Sequence, residues 1–332
     1  MLLVTVVIPT YNYEQYIGDA INSVLQCGYP SHDLEIIVID DGSTDDTKSS
    51  LESYQDLIQY VYQDNLGKAA ATQKGIELAK GKYIFNLDAD DLFLPQKIQK
   101  VVEIFEQDSS LTHVSHPALY WNVSTDSKEI EAIPDFIKRR KIKGEELINY
   151  FYPRRMLFGG GSTFAAKTEF LRKSTIPSGV DMFTDEYLVL VALNKGYTYF
   201  LNEPLSIWRI HGKNFSGVRV QTDLLRQKNE RSLKSMYAVL KAIQNNDFPP
   251  PLPEIYELKV QSSKIALQQD SGELDLQEVG LLWKIFLKNF PAYRKEALTI
   301  FKNYTLLNRT LPPQILLFLK QVKRNLTRAV SN

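Results

Sequence analysis

Asp88, Asp90 and Asp91 place three carboxylates within four residues, directly after the run Lys82-Tyr83-Ile84-Phe85. β-Branched and aromatic residues in that run predict a short buried strand. A strand interior does not tolerate such charge, so the carboxylates fall where the strand leaves its sheet. In an open α/β sheet, ligands bind at that carboxyl edge. Asp-x-Asp there suits a hard divalent cation, which takes oxygen ligands and keeps positions for water and substrate phosphates. The same residues also read as an acidic strand-to-helix turn, with Asp90 or Asp91 capping a helix that starts near Pro95. The residues alone leave both readings open.

The elements that must position this cluster alternate along the first hundred residues. Val4 to Pro9 predicts a first strand, and Leu34 to Ile39 a second, almost wholly apolar as a strand buried on both faces should be. Ile58 to Gln63 predicts a third, and the run before Asp88 a fourth. Between them Ile17, Ala20, Ile21, Val24 and Leu25 have helical spacing, Asp46 to Tyr54 follows a Ser43 or Thr44 cap, and Ala69 to Ala79 is rich in small residues. Strand after strand thus ends in a polar loop: Thr10-Tyr11-Asn12-Tyr13, then Asp40-Asp41-Gly42-Ser43, then Asp88 to Asp91. The pattern is that of a mostly parallel, nucleotide-binding α/β sheet.

Further on, Pro95 to Gln107 predicts a helix, Thr112 to Asn122 a strand, and Asp126 to Lys143 a charged surface excursion. Gly159-Gly160-Gly161 permits close backbone approach, but no Gly-Lys-Ser/Thr follows, which excludes a phosphate-cradling P-loop. His113 and His116 fall in a strand and receive no role. Asp185 and Glu186 open the apolar helix Tyr187 to Leu193. From about Val218 long helical patterns take over, broken by the stiff connector Phe248 to Pro253. A sheet domain over 1–217 and a helical region over 218–332 are therefore expected.

Composition excludes several classes. Among 332 residues Lys+Arg and Asp+Glu both number 39, and no basic stripe interleaved with aromatics supports nucleic-acid binding. A single cysteine, Cys27, rules out a disulfide framework and a thiolate metal site. No stretch approaches a bilayer-spanning apolar run, which predicts a protein without membrane spans, in keeping with a cytoplasmic place. The apolar helix Gln314 to Arg324 turns basic, a pattern that suits either the surface of an anionic membrane or docking on its own domain. An oligomer is compatible with all of this.

Val7-Ile-Pro-Thr-Tyr-Asn12, Val38-Ile-Asp-Asp-Gly-Ser-Thr-Asp45, Leu87-Asp-Ala-Asp-Asp91 and Asp185-Glu-Tyr-Leu188 occur in this order, followed by Trp208-Arg-Ile-His211. In these motifs the chain resembles family-2 glycosyltransferases of the GT-A type, over roughly residues 4 to 216. The resemblance implies an inverting transferase that moves a sugar from a nucleotide diphosphate donor, a UDP-sugar first, to a hydroxyl of a saccharide or lipid-linked acceptor. A bacterial enzyme of polysaccharide or envelope synthesis, working at the cytoplasmic face, is the implied setting.

Carried over by position, Pro9 and Tyr11 would line the base pocket and Asp41 would accept a hydrogen bond from the base. Asp90 would be the main ligand of Mn²⁺ or Mg²⁺, Asp88 would stand by the ribose or the metal, and Asp185 would be the catalytic base. The ion stabilises charge that develops on the leaving diphosphate. A positioned base contributes about 10²- to 10⁴-fold. His211 reads either as a further metal or diphosphate contact, with Arg209 pairing to phosphate, or as a structural histidine. The glycine run would shape the acceptor side, and Asp91 would only cap the next helix.

The chain departs from the family pattern twice. Ala71-Thr72-Gln73 stands where members often carry Ala-Arg-Asn, so a donor or phosphate contact made there is either absent or supplied by Lys68. Thr184-Asp185-Glu186 replaces the usual Glu-Asp, so Glu186 competes with Asp185 for the role of base. A sugar-phosphate nucleotidyltransferase would show a Gly-rich Arg/Lys signature after the first strand, where Thr10 to Tyr13 stands. A silent scaffold would have lost the metal motif or the base, and both are present.

Overall fold

The computed structural model describes residues 3–194, 196–212, 214, 222–246, 248–271, 274–290 and 294–304. The basic helix expected at 314–324 lies outside them. The chain divides into two compact units, one of Met1–Ile148 with Leu157–Ala242, the other of Asn149–Met156 with Ile243–Asn332.

The first unit opens with β1 (Val4–Thr10), α1 (Ile17–Leu25), β2 (Leu34–Asp40), α2 (Thr47–Ser50), β3 (Gln59–Tyr62), α3 (Lys68–Leu78) and β4 (Tyr83–Asn86). Next come β5 (Leu92–Phe93), α4 (Lys97–Gln107), β6 (Leu111–Ser115), β7 (Leu119–Asn122), β8 (Ser127–Ile130) and β9 (Lys141–Lys143). α5 (Gly144–Phe151) is followed by β10 (Ala165–Lys167), α6 (Thr168–Leu171), α7 (Thr184–Asn194), β11 (Tyr197–Phe200), β12 (Ser206–Ile210) and α8 (Thr222–Asn245).

Eight strands form one mixed sheet in the order β3-β2-β1-β4-β10-β6-β11-β9. β1 runs parallel to β2 and β4, and β2 parallel to β3, whereas β10 is antiparallel to both β4 and β6. The register sets Val4 opposite both Leu34 and Tyr83, so β1, β2 and β4 deliver their polar ends to one edge. Every residue of β1 is buried, as a central strand covered on both faces requires. Each fully buried Val or Ile there contributes about 1.5–3 kcal/mol.

Small residues let α3 lie close on this sheet. A Cβ at Gly75 would come within 2.3 Å of Val7 Cγ1, so only glycine permits that approach. The expected mixed α/β architecture with a helical C-terminal region is present. Three local features differ from expectation. Thr112 to Asn122 is two strands in different sheets, because His116-Pro117-Ala118 interrupts it and Pro117 has no ladder donor. The second sheet, β5-β12-β7-β8, receives the later half. Asp46 to Tyr54 is a short α2 followed by a 3-10 turn at Glu52–Tyr54.

In the second unit, α9 (Leu252–Ser271), α10 (Leu276–Asn289) and α11 (Arg294–Tyr304) gather around residues 149–156. Glu278 on α10 accepts from Gln261 Nε2 at 2.7 Å and pairs with Lys264 at 2.5 Å, joining it to α9. Asn303 Nδ2 reaches the Pro153 carbonyl at 2.9 Å, and the Tyr304 hydroxyl donates to Tyr152 O.

Two of the helical glycines, Gly75 and Gly280, should respond in opposite ways. Gly75→Val should destabilise by about 1–3 kcal/mol through overpacking against Val7. At Gly280 a Cβ meets nothing within 4 Å, and Gly280→Ala should be neutral or stabilise by up to about 1 kcal/mol. Urea denaturation of both variants checks this.

Candidate active site

The loops after β1 and β2 are stitched together by side chains. Asn12 donates its N–H to Ser43 Oγ at 2.9 Å, and its Oδ1 accepts from Thr44 N–H at 2.8 Å. Glu14 Oε2 accepts from Asp46 N–H, while Asp45 Oδ2 accepts from Glu14 N–H. Ser43 is therefore a loop clasp, and α2 gains no cap from it. Pro9 is buried within β1, and Tyr11 projects at the sheet edge with 44% of its surface exposed.

Asp41 is nearly fully buried and holds the loop ahead of α3. Its carboxylate accepts from Gln63 Nε2 at 2.7 Å, Leu66 N–H at 2.9 Å and Gly67 N–H at 2.8 Å. Its neighbour Asp40 accepts from Ser43 N–H and from the Tyr60 hydroxyl, both at 2.8 Å.

Lys68, the first residue of α3, joins two distant carboxylates. Its Nζ lies 2.8 Å from Asp88 Oδ1 and 3.3 Å from Asp185 Oδ2. Burial opposes the ammonium charge, but Asp185 and Asp88 outweigh it and hold the group well above its ordinary range. Desolvation lifts the Asp185 carboxyl above the usual carboxylate range; Lys68 pulls it down and the Asp88 charge pushes it further up. Asp185 Oδ1 is buried without a hydrogen-bond partner. The Asp185 carboxylate enters this cluster through Lys68. Asp185 lies in the first turn of α7, behind a loop that α8 braces: Ser235 Oγ accepts from Asp181 N–H at 2.9 Å and Arg231 pairs with Asp181.

Asp90 is buried beside other partners. Its Oδ2 accepts from Asn214 Nδ2 at 3.1 Å and meets His211 Nε2 at 3.1 Å. The His211 ring stacks on Tyr16, with centroids 4.3 Å apart, and its Nδ1 is buried without a partner. Tyr13 faces Asp90, and burial together with the Asp90 and Asp88 charges raises its hydroxyl pKa.

Asp91 does not cap a helix. α4 begins only at Lys97, and Asp91 Oδ2 instead accepts from Ser162 Oγ at 2.6 Å while Oδ1 accepts from Arg209 N–H at 3.1 Å. Burial and the charges of Asp88 and Asp90 raise its carboxyl pKa strongly. Arg209 is not available to phosphate either: it pairs with Asp19 at 2.7 Å and donates to the carbonyls of Asp90 and Tyr16.

Among the described residues no three His, Cys, Asp or Glu side chains converge as a metal cage. His211 Nε2 meets Asp90 Oδ2 at 3.1 Å, so this edge of the ring orients Asp90. Two carboxylates at one sheet edge still fit a hard ion that takes its remaining ligands from water and phosphate. Sequence reasoning missed Tyr13, Ser162 and Asn214; the only local signals were the aromatic after Asn12 and an asparagine three residues beyond His211.

The family model for glycosyl transferase family 2 matches residues 5–174. The chain belongs to that family. Asp185, Arg209, His211 and Asn214 lie beyond the matched segment, on elements that fold back to the Asp88–Asp91 turn. An uncharacterized glycosyltransferase of Nostoc sp. is 39% identical over 117 residues, covering 34% of this chain and 35% of its own length. The putative teichuronic acid biosynthesis glycosyltransferase TuaG of Bacillus subtilis is 39% identical over 111 residues, 32% of this chain and 43% of its own. These matches therefore span less than half of either relative. Across the structures, TarS 1–349 of S. aureus, solved with UDP-GlcNAc, aligns at TM-score 0.62 and 16% identity over 92% of this chain and 90% of its own. The mannosyltransferase PcManGT from Pyrobaculum calidifontis, with GDP-Man and Mn²⁺, aligns at TM-score 0.51 and 19% identity over 92% and 87%. At such identities the likeness shows the shared fold.

His113 props the glycine run from beneath. Its Nε2 meets Gly159 O at 3.0 Å and its Nδ1 meets Thr198 Oγ1 at 2.7 Å. Burial lowers its pKa from 6.5 to about 4. The unfolded chain binds this proton from about pH 6.5 downward and the folded protein only below about 4. Stability should therefore fall between those values, by about 3 kcal/mol from this residue, and level off below them. Urea unfolding across this range checks it, with His113→Gln expected to lose that part of the slope.

Proposed function

We propose that this enzyme is an inverting glycosyltransferase, moving a sugar from a nucleotide diphosphate donor to a hydroxyl of a saccharide or glycolipid, with Asp185 as general base. One observation carries the reading: Lys68 holds Asp185 and Asp88 together, so a carboxylate from α7 stands beside the end of β4. The ligands of the solved neighbours, UDP-GlcNAc for TarS and GDP-Man with Mn²⁺ for PcManGT, support a nucleotide-sugar donor. The teichuronic acid biosynthesis named for TuaG supports a saccharide acceptor.

The base half works through proton transfer. An acceptor hydroxyl is a weak nucleophile until its proton is taken, and the Asp185 carboxylate takes it at Oδ1 or Oδ2 as the oxygen attacks the anomeric carbon. Confinement raises the basicity of that carboxylate, while the Lys68 ammonium at 3.3 Å favours its ionised form. The leaving-group half works through charge. The Lys68 ammonium, beside Asp88, offsets charge that grows on the diphosphate as the bond breaks. Mn²⁺ or Mg²⁺, when bound, supplies further positive charge there, with Asp90 and Asp88 as its protein ligands. His211 and Asn214 orient Asp90. Pro9 and Tyr11 flank the nucleobase, and Asp41 shapes that pocket through Leu66 and Gly67.

Release of nucleoside diphosphate from a panel of UDP- and GDP-sugars, with Mn²⁺ and with chelator, tests this. Asp90→Ala should lose donor binding and transfer together. Asp185→Asn should slow transfer about 10²- to 10⁴-fold while donor affinity stays unchanged; transfer at the wild-type rate would sink the base assignment. Lys68→Met removes the cation that lowers the Asp185 pKa, so the acidic limb of its kcat/KM profile should move to higher pH.

A further inference from the structure

Ser162, only 6% exposed, lies in the 3-10 turn Gly161–Thr163 ahead of β10. A serine hydroxyl has one donor and two acceptor positions, and this one uses both kinds. It donates to Asp91 Oδ2 at 2.6 Å and accepts from Asp88 N–H at 3.0 Å. The Asp88–Asp91 turn is closed once by its own backbone, Asp91 N–H to Asp88 O at 3.0 Å. The Ser162 hydroxyl closes it a second time, from outside, with one atom.

The carbonyl of the same residue is anchored independently. It accepts from Lys97 Nζ and from Ser206 Oγ, the latter at 2.6 Å. Lys97 is fully buried, its ammonium 3.6 Å over the Phe93 ring, and burial pushes its pKa far down. Burying an ammonium is costly, and this one is engaged on a backbone carbonyl and a serine hydroxyl. The end of β4, the glycine turn and β12 therefore meet at one residue.

The glycines just before it touch the opposite half of the site. A Cβ at Gly160 would lie 3.2 Å from Asp185 Cβ. One at Gly161 would lie 3.6 Å from Asp185 Oδ2 and 3.7 Å from Asp88 Oδ2. Residues 160–162 thus border both carboxylates that share Lys68.

We infer that Ser162 is a positioning residue for the transfer reaction. Its hydroxyl sets the direction of Asp88 and Asp90, and its anchored carbonyl holds Gly160 and Gly161 against Asp185. The inference rests on the function proposed above. Without the hydroxyl, Asp88 N–H loses its partner and Asp91 loses a donor beside two like charges, so the turn relaxes. A shift of about 1 Å at such a site can cost about 10²-fold in rate.

Calorimetric titration with UDP and with GDP, each with Mn²⁺, is run beside turnover and thermal unfolding for wild type, Ser162→Ala and Ser162→Thr. Ser162→Ala should weaken nucleotide binding, raise the Mn²⁺ needed for half-maximal binding, and lower kcat, each by about tenfold. Ser162→Thr keeps the hydroxyl and should recover most of all three. If the alanine variant fails to fold, Ser162→Cys, a weak donor, should show the same three losses at smaller size. Lowered thermal stability with unchanged nucleotide affinity, Mn²⁺ requirement and kcat overturns the inference. A wild-type protein that binds neither nucleotide overturns the function proposed above, a different result from equal binding by wild type and variant.

Discussion

Three acidic side chains leave the end of β4 almost together, and like charges that close must each be answered. Two unit charges 4 Å apart interact by about 4 kcal/mol at the effective dielectric of a protein surface. The fold gives each carboxylate its own partners from a different direction. Lys68 comes from the start of α3 to Asp88, His211 and Asn214 come from beyond β12 to Asp90, and Ser162 and the Arg209 amide come to Asp91. Much of the long-range connectivity, including the return of β12 beside β5, places these donors. The acidic turn is thus held by groups distant in sequence, which is why its geometry belongs to the whole sheet unit.

That division accounts for what was legible in the sequence. Central strands β1, β2 and β4 read directly, because strands covered on both faces are continuous apolar runs. The carboxylates read directly too, since dense charge cannot stay inside the sheet and must mark the strand's exit. Their partners were harder. Lys97 falls on the amphipathic α4, where a lysine reads as solvent-facing, yet it is buried. Arg209 reads as a phosphate ligand by type, and only Asp19, far off in sequence, shows that its charge is already matched. Asp91 and the long Thr112 to Asn122 run misled for one reason: local pattern carries no information about which sheet, or which buried neighbour, a residue meets.

The family match ends at residue 174, yet the site does not. α7 contributes Asp185, the segment after β12 contributes His211 and Asn214, and α8 steadies the loop before α7 through Ser235 and Arg231. The first half of the chain thus builds the sheet edge, and the later segments close around it. The buried, neutral His113 gives that closure a polar support without adding charge to an already crowded site.

Asp41 shows how far such coupling extends. Its carboxylate grips the amides of Leu66 and Gly67, and the next residue is Lys68, the first of α3. The lysine's place is therefore inherited from an aspartate at the end of another strand. Positions 41 and 68 form one mechanical unit: a substitution that removed the carboxylate would release the 66–67 amides and displace the ammonium as well. The segment 63–67, which carries the amides that Asp41 grips, is thus part of the same unit as the two charged residues it joins.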